Sequence, residues 1–158
     1  MRAVIDTCVI VDVLQSRKPF CEDAQAVLLL AANRQFEGFL TEKAVADIYY
    51  LTHRIMHSGS ETKAVLTKLC TLFRLLDTTA LDIRNAIAAE DVSDFEDAVM
   101  IETAVRSGMD CIVTRNPKDY AKAKLPVYAP ADFIHLMTEH PENDPVGICS
   151  ILQERKRS

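Results

Sequence analysis

The sequence predicts an α/β protein, a sandwich built on a mainly parallel sheet. Three observations carry that expectation. Short apolar runs alternate with helical stretches along the chain, the pattern of strands buried between helices. The 158 residues suffice for one domain with a real core, not for two independent ones. Hydrophobic residues make up 49% and mean hydropathy is +0.03, as in globular rather than disordered chains.

Arg2 to Ile5 reads as the first strand, followed by a short helix through Val13. Pro19 suits the first turn of the next helix, with Glu22 and Asp23 near its positive end; that helix runs to about Arg34. Phe39-Leu40 is a short strand. Thr41 caps a helix from Glu42 to about Met56, which Ser58-Gly59 ends. Glu61 to Arg74 is helical and Leu75-Leu76 a short strand. Thr79 caps a helix to about Glu90. Ser93 to Glu96 has capping-box spacing and opens a helix to Arg106, closed by Gly108. Cys111 to Thr114 is a strand, Pro117 to Lys122 one or two helical turns, Pro126 to Tyr128 a last strand, and Ala131 to Met137 the closing helix. From His140 the composition shifts to Pro, Asn and Asp, then Arg155-Lys156-Arg157. Residues 1–138 therefore read as the domain and 139–158 as a tail outside its core.

Several function classes fall away. The longest apolar stretch, Ala26 to Ala32, is too short to span a bilayer. Asp6 stands where a signal peptide needs its apolar segment, so a cytoplasmic protein is expected. Cys8, Cys21, Cys70, Cys111 and Cys149 are scattered and odd in number, against a disulfide framework or zinc site; Cys8 and Cys111 read as small core residues. A net charge of −5 argues against coating nucleic acid by charge alone. It does not argue against a nuclease, because cations bound by carboxylates reverse the local sign. Neither a dinucleotide-binding glycine pattern nor a phosphate-binding loop occurs. His53 and His57 lack the glutamate of a zinc-protease motif and read as surface residues, and Tyr49-Tyr50 reads as packing.

The acids carry the chemistry. Ligands of parallel α/β sheets collect outside the carboxyl ends of strands. Asp6 follows the first strand there, and Asn116 and Asp119 follow Cys111 to Thr114. Asp6 also suits a helix cap. Asp47 lies inside a helix, where Asp is a poor former, among Ala44, Ile48 and Leu51. It wants a reason to be there, and a salt bridge with Lys43 or Arg54 is the plain alternative. Glu42 competes with it but is well explained by the helix dipole. Asp97 sits near a helix start, on the face of Ile101 and Ala104, with Asp94 one turn before it. Thr7 offers a hydroxyl for a carboxylate or phosphate. Arg115 and Lys118, with Asn116, are placed to meet phosphates, or are plain surface charges.

Taken together and in order, these segments resemble the PIN-domain family. Val4-Ile5-Asp6-Thr7, Thr41 through Asp47-Ile48-Tyr49-Tyr50, Asp94-Phe95-Glu96-Asp97-Ala98, and Ile112 through Thr114-Arg115-Asn116-Pro117-Lys118-Asp119-Tyr120 carry the likeness, over roughly Met1 to Met137. The resemblance implies a three-layer α/β/α fold and metal-dependent ribonuclease chemistry. Many bacterial members are toxins of VapBC-type toxin–antitoxin pairs, so an antitoxin partner and a homodimer are implied as well. Asp6, Asp47, Asp97 and the Asn116/Asp119 region would form the acidic cluster, with Asp94 and Glu42 as further acids. Two positions depart from the family pattern: Asp47 where Glu is common, and Asn116 where Asp is frequent. A shorter carboxylate reaches less far, and an amide brings no charge. An all-oxygen ligand set favours Mg²⁺ or Mn²⁺ over zinc. Such ions activate a water and stabilise the leaving oxygen, giving 5′-phosphate and 3′-hydroxyl ends.

Two phosphotransfer folds lack their motif context, and one further reading stays open. Haloacid-dehalogenase-like phosphatases need a second Asp two residues after the first, and here that residue is Cys8. A response-regulator receiver needs paired acids on its first loop, where only Asp6 stands. A PIN-like module that binds RNA or protein without cutting is compatible with Asp47 and Asn116.

Overall fold

The structure, a computed structural model, describes residues 1–89, 94–121 and 123–139. The elements run β1 (Arg2–Ile5), α1 (Thr7–Leu14), α2 (Cys21–Ala32), β2 (Glu37–Thr41), α3 (Glu42–Met56), α4 (Gly59–Leu72), β3 (Arg74–Leu76), α5 (Ala80–Ala88), α6 (Phe95–Arg106), β4 (Cys111–Val113), a 3-10 helix (Pro117–Tyr120), β5 (Val127–Tyr128) and α7 (Pro130–Glu139). All strand pairs are parallel, in the order β3-β2-β1-β4-β5. The expected mainly parallel sheet is wholly parallel.

The two-residue period of the strands builds the layers. Ala3, Ile5, Leu40, Cys111 and Val113 face one side; Val4, Phe39 and Ile112 face the other. On the first side, α1, α2, α3, α4 and α7 bury Ile10, Leu30, Ile48, Leu69 and Phe133. On the second, α6 and the 3-10 helix bring Met100, Ile101, Ala104 and Tyr120. Helix α5 packs on α6 through Ala86, Ala98 and Val99. The result is the three-layer α/β/α sandwich. Phe133 is fully buried and meets Phe36 edge-on at 4.9 Å; burying such a ring stabilises by about 2–3 kcal/mol. Gly38 makes room for the Phe73 ring that follows α4, since a Cβ there would lie 2.5 Å from it.

Several boundaries differ from expectation, each for a local reason. Pro19 lies before α2 rather than in its first turn, within a turn closed by the Cys21 N–H donating to Arg17 O. Helix α2 stops at Ala32, because Arg34 turns to φ 57°. His57, left-handed at φ 52°, ends α3, and Ser58 instead caps α4 through the Glu61 N–H. Helix α4 stops at Leu72: Phe73 goes extended to bury its ring, and Arg74 joins the sheet. Asp94 caps α6, accepting the Glu96 N–H at 2.8 Å. Thr79 caps α5 and Gly108, at φ 65°, follows α6, both as expected. Glu90, Asp91, Ser93, Cys149 and residues 140–158 of the expected tail lie outside the described residues. Among the described residues, no helix is long and apolar enough to cross a membrane.

Candidate active site

Strands β2 and β3 continue to one side of β1, while β4 and β5 lie on the other. Loops leaving β1 and β4 therefore diverge, and a crevice opens at their carboxyl ends. A cleft of about 370 Å³ occupies this edge, with Asp6, Thr7, Lys43, Asp47, Glu96 and Asp97 in its wall.

Asp6 is tied to both central strands. Its N–H donates to Val113 O at 2.9 Å, fixing it beside β4. Its side chain caps α1, accepting the Cys8 N–H at 3.4 Å. The other carboxylate oxygen accepts from the Thr114 hydroxyl at 2.7 Å and the Cys8 thiol at 3.0 Å. The cap and the cleft residue are thus one side chain. Burial, helped by the Asp6 charge, pushes the Cys8 thiol up to about 12, so it stays protonated and donating. Cys8 is half-buried at the cleft, not a core residue as expected; Cys111 is the core one.

Asp97 enters from the first turn of α6, half-buried, and accepts from the Tyr120 hydroxyl at 2.7 Å. Burial lifts its carboxyl above the ordinary value of 3.8. The Tyr120 hydrogen bond opposes this, and the charges of Asp94, Asp6 and Asp119 add to the rise. Burial and the Asp6 charge also push the Tyr120 phenol up, keeping it a neutral donor.

The third wall is α3. Asp47 lies one turn after Lys43, and the Lys43 Nζ stands 2.5 Å from Asp47 Oδ2 and 3.1 Å from Glu96 Oε2. Burial disfavours the Lys43 charge, but hydrogen bonds to the two carboxylates outweigh it and hold the ammonium above its usual range. The salt-bridge alternative for Asp47 is realised, within the cleft wall. Asp94 caps the helix and the Glu96 side chain turns to Lys43; the Ser93 half of the expected capping box lies outside the described residues. Tyr50, expected as packing, is 62% exposed at the cleft, with Arg54 against its ring. Tyr49 does pack, stacked on His53, whose Nδ1 is buried; His53 is therefore not the expected surface residue.

The remaining candidates stand outside the cleft wall. Asp94 and Asp119 are exposed but near enough for their charges to act on Asp97. Glu42 is exposed at the start of α3. Asn116 opens the 3-10 helix, its N–H donating to Thr114 Oγ1 at 3.1 Å, and Lys118 is exposed on that helix. Arg115 faces inward: it donates to buried Asp12 at 2.6 Å and lies over the Phe20 ring at 4.8 Å. Burial raises the Asp12 carboxyl, and Arg115 and Arg17 offset part of that. Sequence reasoning gave no role to Asp12, Thr114 or Tyr120. Thr114 and Tyr120 share a segment with Asn116 and Asp119, the one signal that could have found them; Asp12 carries no such signal.

Asp6 and Asp97 offer oxygen donors in a place where acids crowd one another. That chemistry fits a hard divalent cation, which would relieve the repulsion. Among the described residues, no three His, Cys, Asp or Glu side chains stand close enough to hold a metal ion. Mg²⁺ needs no such cage, since one or two carboxylates with water and phosphate oxygens suffice.

A family model of the PIN domain matches residues 2–118. The chain belongs to the PIN-domain family. Solved structures place it among similar PIN folds. A toxin–antitoxin complex from Klebsiella pneumoniae is 20% identical with a TM-score of 0.60, covering 81% of this chain and 97% of that one. A DNA-bound VapBC from Salmonella typhimurium is 15% identical with a TM-score of 0.62, covering 82% and 98%. VapC20 of Mycobacterium tuberculosis, a sarcin–ricin-loop-cleaving toxin, is 15% identical with a TM-score of 0.54, covering 70% and 86%. No curated protein matches the chain in sequence.

Proposed function

We propose that this PIN-domain protein is an Mg²⁺- or Mn²⁺-dependent endoribonuclease and the toxin of a toxin–antitoxin pair. The observation that carries the reading is the meeting of Asp6 and Asp97, from β1 and α6, at the carboxyl edge of the parallel sheet, with acids raising Asp97. Asp6 and Asp97 would hold the ion, and Asp119 and Asp94 would add to the field that draws it in. When bound, the ion supplies Lewis-acid stabilisation of the phosphodiester and a lower pKa for the attacking water.

The protein's own groups do the rest. Thr114 and Cys8 hold the Asp6 carboxylate in one rotamer, and Tyr120 does the same for Asp97. Thr7, at the cleft, offers a hydroxyl to a phosphate oxygen, and Arg17 and Lys43 bring positive charge for the backbone. Lys118 and Asn116 extend that path onto the 3-10 helix. An antitoxin segment, a homodimer and a cytoplasmic setting belong to the same proposal.

A second reading is a PIN-like module that binds RNA or protein without cutting. Lys43 favours it, because an ammonium already stands on Asp47 and Glu96.

RNA cleavage by the purified protein with Mg²⁺ or Mn²⁺, beside EDTA and Asp6→Asn, separates these readings. Cleavage lost in both controls is the expected result. Cleavage surviving both would overturn the metal mechanism. Binding of RNA without cleavage in any metal would favour the second reading.

A further inference from the structure

Resting on the metal-dependent reading, we infer that Lys43 is the resident cation of the Asp47/Glu96 side of the cleft, so that the protein takes one divalent ion, at Asp6 and Asp97, rather than two.

The two sides of the cleft are compensated differently. Asp6 and Asp97 accept hydrogen bonds from neutral groups: the Thr114 hydroxyl, the Cys8 thiol and the Tyr120 hydroxyl. Neutral donors orient a carboxylate but leave its charge in place. Asp47 and Glu96 instead share a full positive charge, with the Lys43 Nζ at 2.5 and 3.1 Å. The arrangement is set by helix geometry. Lys43 and Asp47 are four apart on α3, so their side chains meet without any other element moving. Glu96 comes from α6, so Lys43 joins two elements that line the cleft.

A second divalent ion using Asp47 would have to displace Nζ from both carboxylates. The shorter side chain of Asp47 makes that harder, since Lys43 already holds it close to α3. Lys43 is a compact point charge, suited to face a phosphate oxygen from this side. It cannot activate a water as a metal does, so that task falls to the single ion held by Asp6 and Asp97.

Counting bound Mn²⁺ on the purified full chain, by isothermal titration calorimetry and by the paramagnetic signal of free Mn²⁺, tests this directly. Wild type should bind about one ion per chain and Lys43→Met about two, while Lys43→Arg should stay at about one. Asp97→Asn should weaken the wild-type ion at least ~10-fold, the size of even an outer-shell loss, and Asp47→Asn by less than ~3-fold. Thermal melts in EDTA check folding, and Lys43→Gln replaces Lys43→Met if the latter does not fold. Two ions in wild type would overturn the inference. So would an unchanged count in Lys43→Met, or equal losses in Asp47→Asn and Asp97→Asn. No ion bound by wild type would overturn the metal-dependent reading itself.

Discussion

Asp82 and Asp97 each belong to the α5–α6 half of the molecule, yet their surroundings push them in opposite directions. Asp82 is almost wholly buried, accepting from Arg106 Nε at 2.8 and 2.9 Å and from the Thr79 N–H at 2.8 Å in a capping box. Burial would raise its carboxyl, but Arg106 and Thr79 outweigh it and hold the group below 3.8. Asp97 is less buried, has one neutral donor and three acidic neighbours, and is held above 3.8. Depth alone therefore does not separate a structural carboxylate from a chemical one. The partners do: a cation and donors lock Asp82, while Asp97 has like charges around it, the surroundings a proposed metal ligand would have.

The strongest way to break this comparison is Asp97→Asn. Metal-dependent RNA cleavage should fall ~10²–10³-fold, the scale of losing one preorganised charge in a site. In EDTA at neutral pH the variant should melt slightly higher than wild type. The sign follows from the raised carboxyl, whose ionisation costs folding free energy as pH climbs from 3.8 through its folded value. A variant that melts lower across this range would mean Asp97 is structural.

Asp82→Ala should do the reverse. Urea denaturation should show a loss of about 2–4 kcal/mol, less than a fully buried pair because Arg106 is partly in solvent. A carboxyl held low contributes fully above 3.8 and loses that contribution as pH falls through its folded value. The deficit should therefore persist at neutral pH and shrink only below the ordinary carboxylate range. Cleavage measured well below the melting temperature should be retained.

Arg115→Ala sharpens the contrast with the smallest effect. It strips buried Asp12 of its near partner and Phe20 of a cation, while Arg17 remains 3.9 Å from Asp12. A stability loss of about 1–2 kcal/mol is expected by urea denaturation. A large rise in KM for RNA without that loss would return Arg115 to the phosphate-binding role read from sequence.

The order of strands and helices was legible because it rests on local pattern: apolar runs, caps at Thr41 and Thr79, and Gly108 after α6. Asp6 and Asp97 were legible for the same reason, each being an acid placed at the edge of an apolar element. Asp47 stood out as an acid inside a helix, and its bond to Lys43 follows from their spacing. What local pattern hides is which of two local roles a side chain takes, and any bond that spans the chain. Glu96 matched a capping box with Ser93, but Asp94 caps the helix and Glu96 turns to Lys43. Arg106 reaches Asp82 across 24 residues, and Thr114 reaches Asp6 across 108. Nothing near Asp12 in the sequence announces that Arg115 will neutralise it.

That span of 108 residues has a consequence for the protein's birth on the ribosome. Strand β1 is made first; β2 can pair with it, and β3 with β2, as they emerge. Its other neighbour, β4, and the Thr114 and Tyr120 hydroxyls that set Asp6 and Asp97 arrive only with the last third of the domain. A nascent chain carrying Asp6 and Asp47 therefore holds only part of the cleft, its two central carboxylates not yet fixed in place. Late pairing of β1 with β4 makes assembly of this cleft one of the last events in the synthesis of the domain.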